Sequence, residues 1–256
     1  MNEAVSVRSA GLSGTEYDQS MRSFLSQVLL LMAAGIAVTG GVSLWLANSD
    51  AGMSSLFHLS EYVEDGKTKT AFTASTFWYA AAGVELLLVI LLSWVGLASK
   101  VGARVGIPVF VIFAAINGVT LAPMLYAYTT VSVARVFFIT AGMFSACAIY
   151  GLTTKRDLLP LRTFFFAGLV GLLIALCVNL FFDAPGMDYA ISSMAVLLFA
   201  GITAFDMQDL RQMHRDAGGY TAGLVVFGSL KLYLDFLNMF VNLMRMFGVK
   251  IPGNEG

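Results

Sequence analysis

The sequence predicts an all-α, polytopic membrane protein with seven transmembrane helices. Hydrophobic residues make up 58% of the 256 residues and charged residues 12%, and the mean hydropathy is +0.79. A soluble domain with an ordinary core is less apolar than this. The apolar residues also form separate runs of roughly 20 residues, which is the length of helix that crosses a bilayer.

Seven such runs follow one another, and most are joined by short turns, so neighbouring helices should be antiparallel. The first is too long for the core of a signal peptide, which is typically about 7–15 residues, and is treated as a retained span. The connection at 48–75 has mixed charges and predicts a solvated loop that could contain a short helix. The predicted spans are 24–47, 76–98, 105–128, 133–152, 163–182, a sixth from near Asp188 past Asp206 toward His214, and 223–248.

The spans form one domain, 22–250, between a polar N-terminal tail at 1–21 and a C-terminal tail at 251–256. The net charge is −1, so no basic excess points to nucleic acid. We expect the lipid bilayer as the surroundings of the domain, and neither a cofactor nor a nucleic-acid partner.

The distribution of Lys and Arg predicts a cytoplasmic N-terminus. With that orientation nine basic residues lie inside and four outside. A full seventh span would then leave the C-terminus outside, whereas a re-entrant seventh segment would return it inside; both remain open. The inner residues are Arg8, Arg22, Lys100, Arg104, Lys155, Arg156, Arg162, Arg211 and Arg215, and the outer ones are Lys67, Lys69, Arg135 and Lys250.

The seventh run carries five polar residues at successive gaps of four, three, four and three. On a helix they fall within about 80° of arc, as one narrow polar stripe. A charge at the centre of a membrane helix costs about 3 kcal/mol, so the stripe should face the protein interior or water, and Asp235 in mid-span is a candidate functional residue. Asn238 and Asn242 also fit a packing seam held by hydrogen bonds. The stripe consists of Lys231, Asp235, Asn238, Asn242 and Arg245.

Asp206, at the inner end of the sixth span, is the second informative acid. It lies about 18 Å before the Gly218-Gly219 turn and Asp235 about 22 Å after it, so the two carboxylates share nearly one depth. Two carboxylates close together in low dielectric titrate as a coupled pair and form a candidate proton sensor. When ionised they are also a possible transient contact for calcium. The alternatives are that Asp206 is a solvated helix-end acid, or that Lys231 pairs with either acid and keeps it ionised.

Two further features mark the second and third spans. Glu85 is a lone mid-span acid, for which Lys231 and Arg245 are candidate partners. Pro123 should break or kink the third helix, and Asn117 should satisfy the freed backbone or line a path through the protein.

Three stretches resemble the Bax inhibitor-1 family, in the family's order and spacing, within a match from about Arg22 to Lys250. They are 117–123 (NGVTLAP), 141–144 (AGMF) followed by 150–158 (YGLTTKRDL), and 230–240 (LKLYLDFLNMF). The resemblance implies a bacterial inner-membrane protein in which the seventh helix is central and surrounded by the other six. It also implies a pH-sensitive calcium leak gated by an aspartate pair that matches Asp206 and Asp235. The family's basic contact to this pair falls near Gly96, which is not basic; Lys100 or Lys231 could replace it.

We expect a passive, gated leak for calcium or another cation, and not an enzyme. An intramembrane aspartyl protease would also place aspartates on two adjacent helices, but Leu232-Tyr233-Leu234 stands where its Gly-x-Gly would precede Asp235. The sequence has no His-Glu-x-x-His metalloprotease motif. Two alternatives remain open: a regulatory protein that binds other membrane proteins, such as a membrane protease, and a proton-coupled transporter that uses Lys231 and Asp235.

Overall fold

The computed structural model describes residues 14–64, 67–97, 103–182 and 186–251. The predicted spans correspond, in order, to α1 and to α3 through α8, and their bounds agree within a few residues except at the start of α1. The helices are α1 (Gly14–Ala47), α2 (Asp50–Leu56), α3 (Thr76–Leu97), α4 (Ala103–Ala127), α5 (Thr130–Thr153), α6 (Arg162–Phe182), α7 (Met187–Asp216) and α8 (Ala222–Phe247), with a 3-10 turn at Leu159–Leu161.

The helices have the length and surface of membrane spans. Within the described part of the chain, α1 and α4 to α8 are long and apolar enough to cross a bilayer, and Thr76–Leu92 of α3 is a shorter apolar helix. Large apolar side chains point outward from the bundle, including Leu30, Phe138 and Phe181, which is 84% exposed. Such a surface is stable in lipid but not in water. The predicted all-α, polytopic membrane fold is confirmed.

Two segments differ from the sequence prediction. Helix α1 begins at Gly14, so residues 14–21 belong to the first helix and not to a tail; residues 1–13 lie outside the described residues. The connection after α1 contains the predicted short helix, α2, but also an antiparallel hairpin of β1 (Phe57–Glu64) and β2 (Lys67–Ala74). Its Thr- and Phe-containing strands suit a β-ribbon, a signal that the mixed charges of the loop obscured.

Helix α8 is the central element. It packs against α1, α3, α4, α5 and α7, whereas α6 packs chiefly against α7. The predicted central position of the seventh helix is therefore correct, with α6 placed outside α7. Helix α8 is continuous over 26 residues, about 39 Å at 1.5 Å per residue, without the chain reversal that a re-entrant segment requires.

Glycines set the closest helix contacts. A Cβ on Gly151 of α5 would meet the backbone of Ala204 on α7, and one on Gly118 of α4 would lie 2.8 Å from the carbonyl oxygen of Thr39 on α1. Only a residue without a side chain permits these approaches. Gly151 thus holds α5 against the part of α7 that carries Asp206.

The turn between α7 and α8 fixes how these two helices pair. Gly218 and Gly219 have φ angles of 62° and 139°, which favour glycine. Their N–H groups donate to the carbonyls of Arg215 and His214 at 3.0 and 3.1 Å. These bonds satisfy the carbonyls left free at the end of α7, and α8 can turn back directly alongside it.

At the opposite end of the bundle, the C-terminal segment is tied to the connection between α4 and α5. The N–H of Thr129 donates to Val249 at 2.9 Å, and that of Ile251 donates to Ala127 at 3.0 Å. We call this the α4–α5 end; the α7–α8 turn lies at the other.

Candidate functional site: an acidic cluster between α7 and α8

Lys231 of α8 joins two aspartates of α7. Its Nζ lies 2.8 Å from Oδ1 of Asp206 and 2.8 Å from Oδ2 of Asp209. The two acids are three residues apart and therefore share one face of α7. Both carboxylate side chains are only 6% exposed and the lysine side chain 21%. Buried charges persist when they are paired in this way, so the contact holds the two helices together.

Arg162 extends the cluster toward the surface. Its Nη2 donates to Oδ1 of Asp209 at 2.9 Å, and its own side chain is 66% exposed. The guanidinium carbon lies 5.9 Å from the ring centre of Phe205, and Nζ of Lys231 lies 5.7 Å from the same ring. The aromatic face adds a favourable cation–π contact to both cations.

Asp235 lies one helical turn beyond Lys231 and is buried in the bundle. Its Oδ2 has no hydrogen-bond partner among the described residues. Asp206 and Lys231 are both near enough to act on its charge. Asp235 therefore lies in the same part of the α7–α8 interface as Asp206 and Lys231, and the coupled titration of the two aspartates stays a prediction. The bond that holds Asp206, however, comes from Lys231 and not from Asp235.

The cluster does not form a ready-made metal centre. Across the described residues, no three His, Cys, Asp or Glu side chains are arranged to hold a metal ion. A calcium site needs six to eight oxygen ligands, whereas two carboxylates of the cluster are already bound to Lys231. A cation that bound these carboxylates would have to displace the lysine.

The two asparagines of the polar stripe donate hydrogen bonds to the backbone of their own helix. Nδ2 of Asn238 donates to the carbonyl of Leu234 and Nδ2 of Asn242 to that of Asn238, both at 2.8 Å. Asn242 is buried and Arg245 is exposed near the end of α8. Both bonds lie within α8. They therefore do not join α8 to another helix, as the predicted packing seam would require.

Glu85 belongs to a separate polar group between α3 and α4. Its Oε1 accepts from Nδ2 of Asn117 at 2.6 Å and its Oε2 from Oγ1 of Thr120 at 2.8 Å. The candidate partners were Lys231 and Arg245, and that expectation is wrong: the donors of these bonds are neutral. Thr120 lies one turn after Asn117 in the recognised 117–123 stretch, which is the signal that could have identified it.

The predicted break at Pro123 does not occur. Helix α4 continues from Ala103 to Ala127 through both Pro108 and Pro123. A proline removes one N–H, and here the remaining bonds and the packing around α4 maintain the helix. The side chain of Asn117 is directed to Glu85 and not to the backbone freed by Pro123.

Comparison with known proteins identifies the family of this chain. Residues 21–251 match the model of the family described as inhibitor of apoptosis-promoting Bax1. The chain belongs to this Bax inhibitor-1 family. It is 34% identical to the inner membrane protein YbhL of Escherichia coli K12 over 89% of this chain and 92% of that protein. It is 32% identical to a membrane protein of Streptococcus pyogenes serotype M3, over 91% and 96% of the two chains. The first relative's name and the spanning helices support the inner membrane as the location.

In this Bax inhibitor-1 protein, two residues that form ion pairs in the cluster, Asp209 and Arg162, were not predicted from the sequence. Asp209 follows Asp206 by three residues, and that spacing on a helix is a signal that could have identified it. Arg162 had been counted only as a basic residue of the inner side, and nothing in its local sequence indicates Asp209 as its partner. The proposed replacement of the basic residue near Gly96 by Lys231 agrees with the contact between Lys231 and Asp206. Lys100 lies outside the described residues.

Proposed function

We propose that this protein is a pH-sensitive calcium leak of the inner membrane, gated by the cluster of Asp206, Asp209, Lys231 and Asp235. The observation that carries the proposal is the buried Oδ2 of Asp235, which has no partner among the described residues and lies one turn from a lysine bound to two other acids. A buried polar atom without a partner is costly, and such groups concentrate at functional sites. A proton or a cation would satisfy this oxygen.

The charges of the cluster make it responsive to protons. With every group ionised, three carboxylates face the ammonium of Lys231 and the guanidinium of Arg162. The cluster then carries one excess negative charge in a region of low dielectric, where repulsion between carboxylates is strong. One added proton neutralises the excess, so the carboxylates titrate as a coupled set.

The gating step is the release of Lys231. While Asp206 and Asp209 are ionised, two charged hydrogen bonds of 2.8 Å hold α8 against α7. Protonation of either acid weakens its bond to the lysine, which shifts the balance toward a state in which α8 is free to move. Calcium flux should therefore rise as the pH falls.

Oxygen ligands and negative charge favour calcium as the ion, because hard divalent cations bind carboxylates. The ion passes down its own gradient and contacts Asp206 and Asp235 in transit. In this proposal the protein is a conduit and not an enzyme, and the aspartates bind protons and cations without chemistry on a peptide bond.

The test is calcium flux into liposomes that contain the purified protein, measured from pH 5 to 8. Wild type is compared with Asp206→Asn, Asp235→Asn and the double variant. Asparagine keeps the shape and removes the charge. Asp206→Asn should therefore lose most of the pH response and remain near the flux that wild type shows in acid, because its bond to Lys231 is weakened at every pH. Asp235→Asn should also lose most of the pH response, because it removes the excess negative charge to which the proton responds. The double variant should add little, because the two residues act as one unit.

Asp188→Asn is the matched control. Asp188 is an exposed aspartate in the first turn of α7 and accepts a hydrogen bond from Asn179. Its variant should give the wild-type curve. Aspartate variants that overlay wild type would refute the gate. A wild-type protein that carries no calcium at any pH would refute the leak itself, and a flux that follows an imposed proton gradient would favour a transporter.

A further inference from the structure

A histidine at the end of α7 is enclosed by aromatic rings where α1 meets the α7–α8 turn. His214 is only 1% exposed. The centre of its ring lies 5.6 Å from that of Tyr17, 5.4 Å from that of Phe24 and 6.0 Å from that of Tyr220. Tyr17 and Phe24 belong to α1 and Tyr220 to the turn. The imidazole therefore lies at the junction of α1, the end of α7 and the turn.

Two polar contacts fasten α1 to this junction. Nε2 of His214 lies 3.0 Å from Oγ of Ser20, within hydrogen-bond distance. The hydroxyl of Tyr220 lies 2.9 Å from Oγ of Ser23 and accepts from Nε2 of Gln27 at 2.7 Å. Of the side chains in these two contacts, only an imidazole ordinarily gains a proton between pH 5 and 8. The His214–Ser20 contact is therefore the one that acid can change.

The second ring nitrogen of His214 has no partner. Its Nδ1 is buried and forms no hydrogen bond with any described residue, and the same holds for the hydroxyl of Tyr17, so these two groups do not bond to each other. In a protonated imidazole both nitrogens are donors. The charged ring would therefore carry one N–H without an acceptor inside the aromatic junction. The loss of hydration of such a charge exceeds what neighbouring aromatic faces return.

No described carboxylate pairs with His214 to compensate a positive charge. On its own helix, Arg211 donates to a backbone carbonyl of α5, and Asp216 accepts from an amide of α7. The titratable groups whose rings contact the imidazole are the phenols of Tyr17 and Tyr220. The other charged residues near the junction have exposed side chains: Arg215 on α7, and Glu16, Asp18 and Arg22 on α1.

We propose that His214 is an acid-operated switch that holds residues 17–24 of α1 against the α7–α8 turn. The neutral ring stays in the aromatic junction and keeps its contact with Ser20. The protonated ring leaves the junction for water, where both N–H groups find acceptors, and the start of α1 separates from the turn. The switch is independent of the proposed calcium leak, because none of its residues belongs to the acidic cluster. On α8 the first charged residue is Lys231, which is bound to Asp206 and Asp209.

The experiment is hydrogen–deuterium exchange of the full-length protein in mild detergent, measured by mass spectrometry from pH 5 to 8. The exchange rate of the amides at 17–24 is divided by the intrinsic rate at each pH, which leaves the local opening of α1. Uptake of one proton on release raises this opening by at most about tenfold per pH unit, so we expect about tenfold faster corrected exchange at pH 5.5 than at pH 7.5.

Three variants assign the response to the imidazole. His214→Phe keeps an aromatic ring in the junction and cannot take up a proton, so its corrected exchange should be the same at both pH values. Ser20→Ala removes the hydrogen bond and keeps the imidazole, so exchange should be faster at both pH values and still depend on pH. His58→Gln is the matched control, because His58 in β1 is the other histidine of the sequence, and it should behave as wild type does.

A thermal melt establishes that each variant is folded, and His214→Gln repeats the test if the phenylalanine variant does not fold. Corrected exchange at 17–24 that is independent of pH in wild type would overturn the proposal. So would a folded His214→Phe or His214→Gln protein that keeps the wild-type response. A response that is lost in Asp206→Asn and kept in His214→Phe would overturn it in favour of the acidic cluster.

Discussion

Glu85 and Asp235 are both carboxylates inside a membrane bundle, but their surroundings differ. Each oxygen of Glu85 accepts a hydrogen bond, from Asn117 and from Thr120. The Oδ2 atom of Asp235 accepts none from the described residues. An acid with satisfied oxygens acts as a fixed tie between helices, whereas an acid with a free oxygen can take up a proton or a cation. Depth in the membrane alone therefore does not identify a switch.

The two regions also differ in the kind of partner. Neutral amide and hydroxyl donors hold Glu85, and a proton added there would replace an acceptor by a donor and disturb bonds that are already made. Around Asp235, the two acids of α7 share the cation Lys231, and Asp209 also binds Arg162. In the proposed gate, a proton on Asp206 or Asp209 weakens a bond between α7 and α8. The comparison predicts strong effects of charge changes in the acidic cluster and weak ones at Glu85.

The largest difference expected is all-or-none, and it establishes which side of the membrane the acidic cluster lies toward. The cluster lies at the end of the bundle that carries Lys155 and Arg162, and the basic asymmetry predicts that this end is cytoplasmic. In a background with Cys147 and Cys177 replaced by alanine, Lys155→Cys should be unreactive toward an impermeant thiol reagent in intact cells.

Arg135→Cys, on the opposite side, provides the comparison. The same reagent should reach it if its end of the bundle faces outward, and Lys155→Cys should react only after the cells are opened. Labelling of Lys155→Cys from outside would reverse the assignment, and the cluster would then respond to the external pH.

Lys231→Met should have the next largest effect. Removal of one partner from a buried ion pair leaves uncompensated charge and costs about 3–5 kcal/mol, here divided over Asp206 and Asp209. We expect a loss of about 3 kcal/mol in the free energy of unfolding and a calcium flux at pH 8 close to the wild-type flux in acid. Chemical unfolding and liposome flux measure the two quantities.

Two further variants separate the charge from the side-chain volume. Lys231→Arg keeps a cation in place and should retain most of the pH response. Lys231→Met combined with Asp209→Asn removes one charge of each sign and should recover part of the lost stability, which a double-mutant cycle would detect. Full stability and a normal flux–pH curve in Lys231→Met would show that the two 2.8 Å contacts do not gate the protein.

Much of the fold could be predicted from the sequence, because in lipid the backbone must satisfy its own hydrogen bonds and apolar runs become helices. The central position of α8 was implied by the family resemblance and agrees with the polar stripe from Lys231 to Arg245. The predictions that failed concern local features of the chain. Helix α1 extends to Gly14 beyond its apolar part, and the strands β1 and β2 carry charges that also suit a loop. Pro123 remains helical because the free energy lost with one backbone hydrogen bond is smaller than the stabilisation that α4 gains from packing.

The site could be predicted only in part. The depth of Asp206 and Asp235 follows from counting along two antiparallel helices, since the rise per residue is fixed. The rotation of each helix is not contained in that count. It decides that Lys231 contacts Asp206 and Asp209, and that Oδ2 of Asp235 has no hydrogen-bond partner among the described residues. The Arg162–Asp209 pair depends on where α6 packs, which no local pattern specifies.

The smallest effect is expected at Glu85. In Glu85→Gln the carboxylate becomes a neutral amide. Its oxygen can still accept from Asn117, whereas its NH₂ can only donate to the hydroxyl of Thr120, so the bonds are no longer charge-assisted. A single hydrogen bond of this kind contributes about 1 kcal/mol, and we expect a loss of that size in the free energy of unfolding. The flux–pH curve should keep its wild-type midpoint, because the charge that Gln removes does not contact Lys231. Thr120→Val removes one donor and leaves the carboxylate, and it should reproduce the stability loss. If Glu85→Gln instead abolished the pH response as completely as Asp235→Asn, a fully hydrogen-bonded acid would be part of the gate, and the contrast between the two regions would not hold.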